Sequence, residues 1–553
     1  MTADGDAASR SAGAAGRAVS WRTAAFLCLV LLVAAGALAF RLPRLSERPM
    51  HGDEANQAYK AGILLETGAY AYDPYEHHGP TLYYLTLPVA WLTSAKTFAE
   101  TTEFTYRIVP VLFGVGLILL LLGLGDGLGP AAAVCAGILT AISPAMVFYS
   151  RYYVQEMLLV FFTFATIVAG WRYTRTPKLR WALLAGACVG LTHATKETCV
   201  VAYASMAGAL TLVAVWGRLR DGQPLDVARL RGAVNRRHLI AFALAAAAVS
   251  VVLFTSFFTH AAGPLDSIRT YGAYLTRAGG EGSSGIHDKP CYYYLCLLTF
   301  FRGSSQTWWS EGLILGLAVV GLAAALMART SPANDTDAPD QAATRAHVQL
   351  ARFLAFYTVL MIAFYAAIPY KTPWCLINFL HPMTLLAGLG VVALMRWARV
   401  WPARAVVCLL LIAGAAQLAG QACKANFRLY ADPRNPYVYA HPVPGIRRLV
   451  RRADELAAVH PDGTHLVIKV MAPGADYWPI PWYLRHFDRV GFWGQVPDDA
   501  DADIVVVSPK LAEPLAERLR NTYEAEYIGL RPGVFMRVLI DQDLWDAFMR
   551  TRT

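Results

Sequence analysis

Charge is scarce in this sequence: Asp, Glu, Lys and Arg make up 16% of 553 residues, against roughly 25% in ordinary soluble domains. A mean hydropathy of +0.38 goes with that scarcity, and the two together exclude a soluble enzyme and leave a multi-pass membrane protein. Nucleotide signatures are missing too. No G-x-x-x-x-G-K-[ST] occurs anywhere, and no G-x-G-x-x-G follows the first strand expected near the C-terminus, where MAPGADYWPIPWYLRHF stands instead. The nine cysteines form no paired framework: most fall in apolar runs, and Cys291 with Cys296 is the one pair close in sequence outside them. No internal repeat is visible.

What is present is a series of apolar runs. A span needs about 20 apolar residues to cross a hydrocarbon core of roughly 30 Å, and eleven stretches qualify, near 23–40, 104–124, 130–149, 155–172, 181–194, 198–216, 238–258, 311–328, 352–370, 374–395 and 404–421. Basic loops stay cytoplasmic. Arg10, Arg17 and Arg22 precede the first run; Arg172, Arg175, Lys178 and Arg180 follow the fourth; Arg218, Arg220, Arg229, Arg231, Arg236 and Arg237 follow the sixth. Further clusters are Arg329, Arg345 and Arg352, then Arg396, Arg399 and Arg404. Eleven spans with the N-terminus inside place every cluster in the cytoplasm. That accounts for the net charge of +10, which therefore makes no case for nucleic acid.

The same parity requires Gly79–Ser94 to lie in the interface rather than to span, its Tyr and Trp suiting the headgroup zone. The first span is read as a retained anchor, although Ala37-Leu38-Ala39 ahead of Phe40 has the small-residue pattern of a signal-peptidase site. The expected organisation is a cytoplasmic tail (1–22), a multi-pass α-helical membrane domain (23–421) and an extracytoplasmic α/β domain (422–553), in the plasma (inner) membrane. External loops are expected at 41–103 and 259–310, with a polar cytoplasmic linker at 329–350. In the last domain GTHLVIKV, DADIVVVS, EAEYIGL and VFMRVLI read as strands. The aromatics Tyr477, Trp478, Trp482 and Tyr483 are assigned to that domain's core in preference to sugar stacking.

With the loops so assigned, ionisable residues collect on the external side. Asp53 and Glu54 follow the first span, with His51, Glu76, His77 and His78 in the same loop; Arg151 and Glu156 share the second turn. His193, Lys196 and Glu197 lie at the third, His287, Asp288 and Lys289 at the fourth, Tyr370 and Lys371 at the fifth. Charged groups at membrane depth cost several kcal/mol unless paired or wet. Plainer readings stand beside the functional one: Glu156 as the ion-pair partner of Arg151, Lys196 as an interfacial anchor, and His77 with His78 as one packed and one solvated ring rather than metal ligands. A carboxylate facing several cations suits one chemistry. It acts as general base on an acceptor while the cations hold a departing phosphate, as in glycosyl transfer from a sugar on a lipid phosphate.

At these residues the sequence resembles the GT-C superfamily of integral-membrane glycosyltransferases, in the branch of protein O-mannosyltransferases and lipid A aminoarabinose transferases. The resembling features are the Asp-Glu after span one, SRYYVQEM, and GLTHATKE. HGDEANQAY, YDPYEHHGPTLYY, GIHDKPCYYY, KTPW and YWPIPWYLR look more narrowly like a bacterial and archaeal subfamily once labelled flippase-associated in archaeal N-glycosylation. The resemblance implies a polyprenyl-phosphate-linked sugar donor, an external site and an inverting transfer. It implies Asp53 as base, with Glu54 and Glu156 in the catalytic set. Arg151, Lys196 and Lys371 become phosphate ligands, and His51, His78, Tyr152, His287 and Tyr370 line the substrate site. Two departures stand out: Glu197 replaces the usual Gly after Thr-Lys, and HHGP replaces a Glu-Lys before Pro. No cofactor is expected for a monophosphate donor, whereas a diphosphate would call for a divalent metal on Asp53, Glu54 and Glu156. The acceptor is a glycan, lipid or protein. The rival reading is a flippase for lipid-linked sugar, and a third makes the external domain a glycan-binding module on an anchor.

Overall fold

The computed structural model describes residues 21–75, 78–222, 235–278, 287–302, 307–330 and 339–552. Glu76, His77 and the basic residues Arg10, Arg17, Arg229 and Arg231 lie outside these, as do residues 331–338 of the expected linker. Among the described residues, eight helices are long and apolar enough to cross a membrane: Trp21–Arg41, Glu103–Gly123, Glu156–Arg175, Cys199–Asp221, Arg236–Phe254, Asp340–Ala367, Pro373–Trp397 and Trp401–Arg428. Three shorter helices, Pro130–Ile142, Leu179–His193 and Gly312–Met327, occupy the remaining expected runs. Thr81–Leu92 is a 12-residue helix, about 18 Å long and too short to span.

The run at 130–149 is broken. Pro144 lacks the N–H that would continue the preceding helix, so a second helix, Pro144–Tyr149, starts with Ser143 as its cap, the Ser143 hydroxyl oxygen accepting from the Met146 N–H at 3.3 Å. The expected linker is also partly ordered, since the helix entering the membrane bundle begins at Pro339.

Two of the long helices show a basic end opposite an end that carries a candidate site residue. Glu156 opens its helix and Arg172 and Arg175 close it; Lys196 stands just before Cys199–Asp221, whose last turn carries Arg218 and Arg220. Twenty residues of helix separate such ends by about 30 Å. Between the site ends, the loops add a short pairing of β1 (Phe301–Arg302) with β2 (Trp308–Trp309).

Past the last span, a five-stranded sheet is formed by β3 (Ile468–Met471), β4 (Val490–Trp493), β5 (Ile504–Val507), β6 (Tyr523–Arg531) and β7 (Val534–Asp541), in the order β4-β3-β5-β7-β6. β3 runs parallel to β4 and β5, and β7 is antiparallel to β5 and β6. Four of the strands coincide with the apolar alternations of the sequence. β4 does not, because VGFW contains a glycine and lacks the β-branched run of the others. The aromatic stretch 477–483 is buried at its end but packs beyond its own sheet. The Trp482 ring meets Phe98 and Tyr106, and the Met50 N–H donates to the Tyr483 hydroxyl at 3.0 Å. This clamps the sheet region onto the loop after the first span.

Gly321 and Gly390 sit where helices Gly312–Met327 and Ile377–Trp397 cross. A methyl group at either would come 1.9 Å from the Leu386 carbonyl oxygen or 2.0 Å from that of Leu317. Small residues allow membrane helices this backbone approach. Gly321→Ala should therefore lower the melting temperature of the detergent-purified protein, an overpacking cost of about 1–3 kcal/mol. Gly316→Ala, which meets nothing within 4 Å, should leave it unchanged or slightly higher; equal effects of the two would contradict the crossing.

Candidate active site

The loop after the first span turns into helix Gly52–Thr67 through a reciprocal cap. His51 is the N-cap residue: its Nδ1 accepts from the Asp53 N–H at 3.0 Å, and the Glu54 carboxylate accepts from the His51 N–H at 3.1 Å. Burial lowers the pKa of the His51 ring, which keeps Nδ1 free to accept. The cap sends the two adjacent carboxylates in different directions. Asp53 stays 52% exposed on the helix's first turn, while Glu54 is fully buried.

Glu54 is hydrogen-bonded on every side. Arg107 donates to both carboxylate oxygens at 2.8 Å each, Arg48 donates at 3.1 Å, and the Tyr153 N–H donates at 3.0 Å. These cations outweigh burial and hold its carboxyl well below the usual carboxylate range. The expectation that Glu54 joins Asp53 in catalysis is corrected on this geometry: no lone pair of Glu54 is left facing a substrate. Its work is to order the loop. Arg107 also donates to the carbonyls of Leu45, Arg48 and Pro49, so one guanidinium holds the whole turn that precedes His51.

The stretch Ser150–Glu156, between two helices, joins this turn to its surroundings residue by residue. Ser150 accepts from Arg41 at 2.9 Å, the Arg151 carbonyl accepts from Arg48, and the Tyr152 ring lies 4.3 Å from the Arg48 guanidinium. Gln155 donates to Gln57 at 2.8 Å. Arg151 itself does not pair with Glu156. It donates to the carbonyls of Pro43 and Asn426 and lies 4.8 Å over the Phe427 ring. Asn426 and Phe427 belong to a π-helical turn, Lys424–Arg428, that widens the end of the last span. Burial, with Arg48, Arg107 and Arg41 nearby, pulls the Arg151 pKa down to about 9.

Arg41, Arg48, Arg107 and Arg151 are all buried. Among the described residues Glu54 is the one carboxylate paired with any of them. The Nε–H groups of Arg48 and Arg151 are buried without a hydrogen-bond partner.

Glu156 pairs with Lys196, and the Cys375 thiol lies 3.9 Å from the same carboxylate oxygen. Glu197 points elsewhere. It accepts from the Tyr72 hydroxyl at 3.1 Å and meets His78 Nδ1 at 2.8 Å, so the residue that replaces glycine here compensates a histidine rather than neutralising Lys196. Lys371 is buried and donates to the carbonyls of Ile368 and Lys289, and burial lowers its pKa. The His287 ring lies tilted against that of Tyr370, ring centres 4.6 Å apart, and meets the Tyr439 hydroxyl at 2.8 Å. The charge of Asp53 acts on the His287 ring of the fourth loop and on the Tyr439 hydroxyl beyond the last span. A metal held by Asp53, Glu54 and Glu156 together does not fit this arrangement, because Glu54 and Glu156 are tied to cations. Among the described residues no other group of three metal-ligating side chains is assembled.

Sequence reasoning missed Arg41, Arg48, Arg107, Trp374, Tyr439 and His441. Arg107 carried a readable signal, an arginine inside an apolar run. Tyr439 and His441 carried none, since they lie beyond the last span in a region assigned to another domain. They belong to a strap, residues 435–441, that crosses the site: Tyr437 donates to Glu311, Tyr439 packs on Trp374, and His441 stacks on His51 with ring centres 5.8 Å apart.

Residues 82–263, less than half of the chain, match the sequence model of the dolichyl-phosphate-mannose-protein mannosyltransferase family. No curated protein is matched by the sequence. Among solved structures, ArnT from Cupriavidus metallidurans bound to undecaprenyl phosphate is similar at a TM-score of 0.60 and 14% identity, covering 93% of this chain and 98% of that one. The archaeal oligosaccharyltransferase AglB from Archaeoglobus fulgidus, in complex with an inhibitory peptide and a dolichol-phosphate, is similar at 0.55 and 12%, covering 96% and 77%. At these identities the likeness is one of fold.

Removing one partner from a buried ion network leaves the others uncompensated, at about 3–5 kcal/mol. Glu54→Gln should therefore lower the melting temperature markedly, with Glu54→Asp intermediate. Because the folded-state pKa of Glu54 lies below its ordinary 4.5, its contribution is fully present above about pH 4.5 and lost progressively in more acidic solution. Melting curves across acid pH should show that loss in the wild type and a shallower one in Glu54→Gln.

Proposed function

We propose that this chain, which has the fold of the GT-C membrane glycosyltransferases, transfers a sugar from a polyprenyl phosphate to an acceptor on the extracytoplasmic side of the membrane. The observation that carries the reading is the excess of buried arginine charge beside one exposed carboxylate. Buried cations without counter-charge are costly, and two of them hold an unpartnered N–H. A phosphate would satisfy both deficits. The family model and the two lipid-phosphate complexes of the same fold support that choice of anion.

In this reading the donor's isoprenoid tail lies between helices, and its phosphate sits by Arg48 and Arg151, with Lys371 on the opposite loop. Asp53 takes the proton of the acceptor hydroxyl as its oxygen attacks the anomeric carbon. The bond from that carbon to the phosphate oxygen breaks, the electron pair leaves with the lipid phosphate, and the configuration inverts. The arginines gain interaction as charge grows on the departing oxygen, the condition for rate enhancement by preorganised donors. Lys196, committed to Glu156, serves to hold the third loop rather than to bind phosphate first. His51 keeps Asp53 on its helix turn, and Tyr152, His287 and Tyr370 wall the sugar. Orientation follows from the basic helix ends opposite the site, which belong in the cytoplasm; the N-terminus is then inside and the sheet domain outside.

Transport of the lipid-linked sugar is less well supported. The polar group inside the bundle, Thr163, Asn378 and His381 with Tyr357, surrounds only about 10 Å³ of free space, room for about one water.

Asp53→Asn tests the base. In detergent with labelled polyprenyl-phosphate sugar and a membrane extract as acceptor source, transfer should fall by about 10²–10⁴-fold with the melting temperature unchanged. Full activity in that variant would remove Asp53 from the mechanism.

A further inference from the structure

The strap that crosses the site is anchored on both sides of His441. Tyr149 donates to the Tyr437 carbonyl at 3.0 Å, and the Tyr437 hydroxyl donates to Glu311 at 3.3 Å. Two residues past His441, the Val443 N–H donates to the Leu530 carbonyl of β6 at 3.0 Å. Between these anchors the backbone holds the His441 side chain inward, where it is 2% exposed.

The ring lies nearly parallel to that of His51, at an interplanar angle of 11°, and against Tyr152 with ring centres 6.1 Å apart. The Arg48 guanidinium lies over the same Tyr152 ring. The two stacked histidines differ in how they are used. His51 accepts a hydrogen bond at Nδ1 from the helix it caps. Among the described residues, His441 is the one histidine whose two ring nitrogens are both buried with no hydrogen-bond partner. Burial, and after it the Arg48 charge, hold its pKa well below the ordinary 6.5. The ring is therefore neutral and carries one N–H donor and one acceptor. Stacking explains neither, since a phenylalanine would stack on His51 without burying two polar atoms. A polar ring placed this way destabilises the fold unless something else meets it.

We infer that His441 is a ligand-contacting residue of the donor site, its N–H donating to an oxygen of the lipid phosphate that Arg48 also binds. The inference rests on the transfer reading above and adds a contact of a different kind. Arg48, Arg107 and Arg151 already disfavour one another's charge. A neutral donor supplies a directed hydrogen bond there without a further positive charge. Because the strap continues through Val443 to the sheet, the phosphate would be held jointly by the membrane loops and by chain beyond the last span.

The test is binding of undecaprenyl phosphate to the full-length protein in detergent, measured by isothermal titration calorimetry for the wild type, His441→Phe and His441→Gln. His441→Phe keeps a flat ring for His51 and removes both nitrogens, whereas His441→Gln gives up the ring and keeps an N–H. His441→Phe should bind roughly ten- to hundredfold more weakly than the wild type, the loss expected for one hydrogen bond to a charged group. His441→Gln should bind more tightly than His441→Phe. Melting temperatures should run in the opposite order, His441→Phe above His441→Gln, because the stack survives only in the first. A ring that only packs would rank the two variants the same way in both measurements. His441→Phe binding at least as tightly as His441→Gln would therefore overturn the inference. A wild type that binds no undecaprenyl phosphate sinks the transfer reading along with this one, and wild-type binding matched by His441→Phe sinks this one alone.

Discussion

One buried carboxylate determines where everything else at this site can be. Glu54 binds Arg107 through both oxygens, takes Arg48 from a second direction and accepts two backbone N–H groups. Those contacts join the loop after the first span, the helix that follows it, the second span and the turn before Glu156. A charge pair of this kind is weak evidence for stability, because desolvation offsets much of its attraction. Its value is positional. With Glu54 turned inward and His51 capping, the adjacent Asp53 emerges exposed from the first turn of the helix.

The same network leaves a surplus of charge. Among the described residues, the four buried arginines here meet a single carboxylate, bound by Arg48 and Arg107, and the other groups around them are carbonyl oxygens, the Ser150 hydroxyl and aromatic rings. Carbonyls and π-faces orient guanidinium groups without neutralising them. In the proposed reading, that surplus is what the donor phosphate answers.

The membrane helices were legible in the sequence because hydropathy and the placement of Lys and Arg are properties of single segments. So were four of the five strands. Individual site residues were less so. Two neighbours in the sequence, Asp53 and Glu54, read alike until the helix cap assigns them opposite directions. Arg151 and Glu156, close along the chain, take separate partners because a turn between helices points them apart. Glu197 looked like an intrusion beside Lys196, yet His78 and Tyr72 from a distant loop receive it. The strap through Tyr439 and His441 left no local mark at all, since its role depends on contacts some four hundred residues back along the chain.

The most direct measurement of the central claim is a cryo-electron microscopy structure of the protein with undecaprenyl phosphate. Phosphate density within hydrogen-bond distance of Arg48 and Arg151, with the tail passing between helices and Asp53 across the space a sugar would fill, is the predicted result. A phosphate seated at the opposite, basic ends of the helices, or one that leaves both of those arginines untouched, would contradict it.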